Sequence, residues 1–74
     1  MTYRIKMIWD DEAAVWVATS DDVPGLALES GSFDALVEKV RMAVPELLDL
    51  NGGSAPEVRL NYASQRSDLV TAYG

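Results

Sequence analysis

Only one stretch of this chain repeats at helical period. Phe33, Leu36, Val37, Val40, Val44, Leu47 and Leu48 recur at steps of three and four, drawing a single apolar stripe along a single helix. The apolar residues on either side of it alternate at period two or sit in turns. One helix covers one face of one sheet. The pattern therefore predicts a two-layer α+β domain whose sheet has a second face with no helix over it.

The ends of the helix are marked. Ser32 stands at the N-cap position, and Asp34 in the first turn suits the positive end of the helix dipole. Asn51-Gly52-Gly53 closes it, with glycine at the C-cap. Pro45 lies inside the stripe, where it removes a hydrogen bond and costs ~3 kcal/mol or more. Because Leu47 and Leu48 continue the stripe past it, the expectation is one kinked helix rather than two.

Four segments read as strands. "TYRIKMIW" sets Tyr3, Ile5, Met7 and Trp9 against Arg4, Lys6 and Ile8. "VWVATS" sets Val15, Val17 and Thr19 against Trp16, Ala18 and Ser20, after the polar connection "DDEAA". Pro24 and Gly25 carry the signature of a type II turn, which leads into the short strand "LALE". "EVRLNYAS" alternates Val58, Leu60 and Tyr62 with Glu57, Arg59 and Asn61. The order β-β-β-α-β, with a right-handed crossover, predicts a mainly antiparallel sheet of strand order 3-2-1-4 with strand 4 parallel to strand 1. Residues 1–64 form the domain, and 65–74 read as a tail or an edge extension.

If the hairpin loop runs from Asp10 to Ala14, Trp9 falls opposite Val15, and Met7 opposite Val17. Tyr3, Ile5, Met7, Trp9, Val15, Val17, Val58, Leu60 and Tyr62 then share the face under the helix. The uncovered face carries Arg4, Lys6, Ile8, Trp16, Ala18 and Arg59. Ile8 and Trp16 rimmed by three bases form an interface signature, so Ile8, Trp16, Arg4, Lys6 and Arg59 are the candidate interface residues. A loop one residue different turns Trp16 inward. Pro24, Gly25 and Ser32 read as structural turn and cap residues. Met42 falls opposite the helix stripe among Glu38, Glu46 and Asp49, a docking edge for a basic partner.

At 74 residues the chain is one domain, and a chain this short buries only about 60% of its unfolded surface. It has no cysteine and no histidine. Disulfides, the common zinc, haem and iron–sulfur ligands, and cysteine or histidine nucleophiles are thereby excluded. Oligomerisation, as a dimer or larger, is the expected source of extra stability. Twelve acids against six bases give a net charge of −6, which opposes binding to phosphate backbones and favours a basic partner. Arg4 and Lys6 interrupt the first apolar run, so no signal peptide, membrane span or membrane partner is expected, and the cytoplasm is the expected location. Ser20, Ser30 and Ser32 have no histidine to activate them. Neither a catalytic residue nor a metal or cofactor is expected.

The stretch "IWDDEAAVWVATSDDVPGLALESGSFDALVEKVRMAVPELLDLNG" resembles the N-terminal domain of HicB-like antitoxins. A strand ending in Trp9-Asp10, the acids and small residues after it, the "VWVA" strand, the Val23-Pro24-Gly25-Leu26 turn and the Ser32-capped helix follow in the matching order. The resemblance covers roughly residues 5 to 53 and is strongest to the short, single-domain branch, whose members are often labelled as domains of unknown function. It implies a sheet like a reduced ribonuclease H, self-association, and binding to a small basic HicA-type toxin. Two-domain members add a helix-turn-helix or ribbon-helix-helix segment for operator DNA. Nothing after Gly53 is expected to form one, so no DNA binding is expected. Two other readings stay open. One is an orphan oligomeric module for a small molecule or peptide. The other is a metal-dependent nuclease remnant using Asp10, Asp11, Glu12, Asp21 and Asp22, although the first strand has Ile5, Lys6, Met7 and Ile8 where such a site needs a carboxylate.

Overall fold

The computed structural model describes residues 2–52 and 57–72. Its elements are β1 (Thr2–Asp10), β2 (Val15–Thr19), β3 (Ala27–Ser30), α1 (Phe33–Leu50) and β4 (Arg59–Gln65). They form one mixed sheet of order β3-β2-β1-β4, antiparallel except that β4 runs parallel to β1. Element order and strand order are those expected from the sequence.

Local chemistry accounts for the helix. The Ser32 hydroxyl accepts from the Ala35 amide at 3.2 Å, and the element continues through Pro45 for 18 residues. At its end the Asn51 amide and side chain both donate to the Leu47 carbonyl, at 3.1 and 2.8 Å. Gly52, at φ +80°, then donates to the Asp49 carbonyl. That left-handed conformation is cheap for glycine and strained for other residues. Gly53 lies outside the described residues.

The core sits between the helix and one sheet face. Leu36, Val40 and Val44 from α1 meet Ile5 and Met7 from β1 and Ala18 from β2, all fully buried. Val23 and Leu26, from the turn before β3, close one end of it. Each such large side chain contributes roughly 1.5–3 kcal/mol through burial. The turn that delivers Val23 and Leu26 is the type II turn read from the sequence. Leu26 donates to the Val23 carbonyl at 3.2 Å, and Gly25 takes φ +87°.

A side-chain clamp replaces the sheet ladder where β2 ends. The last β1–β2 pair is Lys6–Thr19, so Arg4 has no β2 residue opposite it. Its amide donates instead to the Asp22 carboxylate at 2.8 Å, and its carbonyl accepts from the Ser20 hydroxyl. Ser20 Oγ in turn accepts from the Asp22 and Val23 amides at 3.1 and 3.2 Å. Ser20 and Asp22 thus satisfy backbone groups that a longer β2 would have paired.

The hairpin departs from the expected register. Asp10 is still in the ladder, opposite Val15, and Trp9 lies opposite Trp16 rather than Val15. The loop is Asp11–Ala14, one residue shorter than the Asp10–Ala14 loop expected. Asp10 Oδ1 accepts from the Glu12 and Ala13 amides at 3.1 and 3.2 Å, and Ala14 takes φ +55° to turn the chain back. Because side chains alternate, this single residue exchanges the faces of β2. Trp16 and Ala18 lie on the helix side, and Val15 and Val17 on the open side. The expectation that Trp16 joins Ile8 on the uncovered face is therefore corrected.

Candidate functional site

The open face is a lattice of side chains fixed by the register. Its row nearest the hairpin loop pairs Asp10 with Val15, and the next runs Gln65–Ile8–Val17–Glu29. The rows beyond run Ala63–Lys6–Thr19–Ala27, then Arg4–Asn61 and Thr2–Arg59. Ile8 is 42% exposed, and Val15 and Val17 are half-buried. Of the expected interface residues, Ile8, Lys6, Arg4 and Arg59 lie on this face in successive rows, with Arg59 three rows from Ile8, whereas Trp16 lies on the other face. Val15 and Val17 occupy the apolar positions that Trp16 vacates.

Trp16 belongs instead to an aromatic corner at the hairpin end of the helix side. Its ring meets Trp9 edge-on at 5.5 Å between centroids, and Phe33 of the first helical turn at 5.0 Å. Both spacings lie in the favourable range for edge-to-face pairs. The Arg66 guanidinium lies 4.0 Å above the Trp9 ring and 5.9 Å from that of Trp16, and its Nε is 3.6 Å from Asp68. Cation–π contact fastens the chain just after β4 to the start of the hairpin. Sequence reasoning missed this contact, since it joins residues far apart in the chain and no spacing signals it.

The acidic loops are occupied by local work. Asp10 organises the hairpin loop, Asp11 accepts from the Trp9 indole N–H at 3.3 Å, Asp21 pairs with Lys6 at 3.3 Å, and Asp22 holds Arg4. Among the described residues no three acidic side chains gather where a metal ion could be held. No helix among them is long and apolar enough to cross a membrane.

All twelve acids are exposed, and the outer face of α1 carries a group of them. Glu38, Met42 and Glu46 follow one another at steps of four, so they stack on one side of the helix, with Asp49 a turn further on. Met42 is 75% exposed. Arg41 pairs with Glu38 at 3.2 Å. Nearby, the Tyr62 hydroxyl is buried with no hydrogen-bond partner among the described residues. Desolvation raises its pKa above the ordinary 10.0, Arg41 partly opposes that, and Glu38 adds slightly to it.

Residues 2–72 match a family described as Domain of unknown function (DUF1902). The chain belongs to that family. Its fold is similar to the crystal structure of a hypothetical protein from the extremely thermophilic bacterium Thermus thermophilus. That match has 42% sequence identity and a TM-score of 0.82, over 95% of this chain and all of the other. No curated protein matches. The DUF1902 match extends through residue 72 and so includes most of the segment after β4.

Proposed function

We propose that this DUF1902 chain is a non-enzymatic protein-binding domain of HicB-like type, with a reduced ribonuclease-H-like sheet. In this reading it self-associates and neutralises or regulates a small basic partner, a HicA-like toxin. The observation that carries the proposal is the outer face of α1. Met42 stands exposed there between Glu38 and Glu46, with Asp49 beyond it. An adaptable apolar side chain flanked by the carboxylates of Glu38 and Glu46 suits a basic protein surface: the methionine supplies contact area and the acids supply steering. The excess of acids over bases extends that field over the whole molecule and works against nucleic acid as the partner. The acids of the two loops already serve turns and strand ends, which supports binding rather than catalysis.

The test is a calorimetric titration of the chain with a small basic toxin of HicA type. The expected result is tight binding that weakens with salt and falls roughly tenfold or more in Glu46→Lys/Asp49→Lys. Binding that the double reversal leaves unchanged would remove the helix face from the proposal. No binding of such a toxin at micromolar concentration would remove the antitoxin reading itself.

A further inference from the structure

The segment after β4 does not fold back onto its own domain. Leu69 is fully exposed and Val70 is 79% exposed, among residues 66–72 that are exposed throughout. The molecule measures 56 Å by 21 and 18 Å, with a radius of gyration of 14.7 Å. A compact chain of this length has a radius near about 11 Å. A helix of 18 residues and a strand of nine span only about 27 and 30 Å, so the molecule is longer than its packed elements. Its root is nonetheless fixed, since Arg66 is seated on Trp9 and Trp16. An arm pinned at its base, apolar at its tip and contained within the family's matched residues is built to reach something.

We infer that its target is a second copy of this chain: Leu69 and Val70 of one copy cover Ile8, Val15 and Val17 on the open face of the other, in a reciprocal exchange of arms. The register supports this occupant. The arm leaves the sheet at Gln65, which lies in the same row as Ile8 and Val17, with Val15 one row beyond. A two-fold axis near that row therefore places each arm root beside the other copy's apolar patch. Leu69 is four residues past Gln65, a reach of about 13 Å when extended. The contact is isologous, so it closes as a dimer and does not propagate. Apolar side chains of the arm meet the apolar patch, and Lys6, Asp10 and Glu29 stay at its rim. The inference rests on the self-association part of the proposed function and adds the segment that performs it.

Sedimentation of the full chain, the arm variant Leu69→Asp/Val70→Asp and the patch variant Ile8→Asp provides the test. Ile8→Thr replaces the patch variant if melting shows that the aspartate prevents folding. The wild type is expected to be a dimer at micromolar concentration, and each variant to dissociate roughly tenfold or more readily. Mixing the two variants is expected to restore dimer in part, because the patch variant keeps a sound arm and the arm variant a sound patch. Arg66→Ala, which frees the root, is expected to weaken the dimer by roughly two- to fivefold. A wild type that sediments as a monomer overturns self-association and the arm together. A dimeric arm variant overturns the arm alone and leaves self-association standing. A mixture no more dimeric than its parts overturns the pairing of arm with patch.

Discussion

The two faces of the sheet are made from the same four strands and end up with different duties. On the helix side, Ile5, Met7 and Ala18 lose all contact with water under Leu36, Val40 and Val44. On the open side, one residue away in each strand, Ile8 keeps 42% of its surface, with Val17 and Gln65 beside it in its row and Lys6 and the Asp10–Val15 pair in the rows on either side. Most of the folding free energy of so small a domain comes from one face. The other face and the arm are left free for a partner. Substitutions should therefore divide by parity along each strand, with stability on one side and association on the other.

The largest effect expected is at Trp16. Its ring is packed between Trp9 and Phe33, so Trp16→Ala should lower stability by about 3 kcal/mol, and it acts on association only through the seat of Arg66. Val17→Ala, the next residue but on the opposite face, should cost the monomer no more than about 1 kcal/mol. Urea melts of the two variants make the comparison, and equal losses would break the division by face.

Gly25→Ala comes next, at roughly 1 kcal/mol. The φ of +87° is strained for alanine, and the added methyl group would meet Leu47 Cδ2 at 3.4 Å. Asparagine, which tolerates this conformation better, should be milder. A thermal melt of both variants ranks them, and an unchanged alanine variant would contradict the type II turn.

The smallest effect concerns pH. Burial raises the Tyr62 pKa above 10.0, so the neutral phenol is favoured in the folded chain. Its contribution is fully present below the ordinary value of 10.0 and is lost as pH rises through the higher, folded one. The melting temperature should therefore decline above about pH 10, and Tyr62→Phe should reduce that dependence. A scan from about pH 9 to about pH 11 reads the difference.

Much of this architecture was legible in the residues alone. The helix stripe, the Ser32 cap, the Pro24-Gly25 turn and the alternation of β1 and β4 each have a local cause and a fixed spacing, and together they set the strand order. The faces of β2 did not follow, because they hang on one residue of loop length. That length depends on Asp10 accepting two loop amides while still in the ladder, and on Ala14 adopting φ +55°. An alanine with positive φ leaves no trace in a sequence. The same limit hid the seat of Arg66, which joins the end of β4 to the hairpin through a cation and a ring. Ile8, Arg4, Lys6 and Arg59 fall on one face of the sheet, as their alternation implies, because β1 and β4 have unambiguous parity.

The division of faces rests on the register of the β1–β2 hairpin, and nuclear Overhauser spectroscopy reads that register most directly. The Trp16 indole should show cross-peaks to the Phe33 and Trp9 rings, and the Val17 methyl groups should show them to Ile8. Cross-peaks from Trp16 to Ile8, with none to Phe33, would place Trp16 on the open face and contradict the assignment of one face to the fold and the other to a partner.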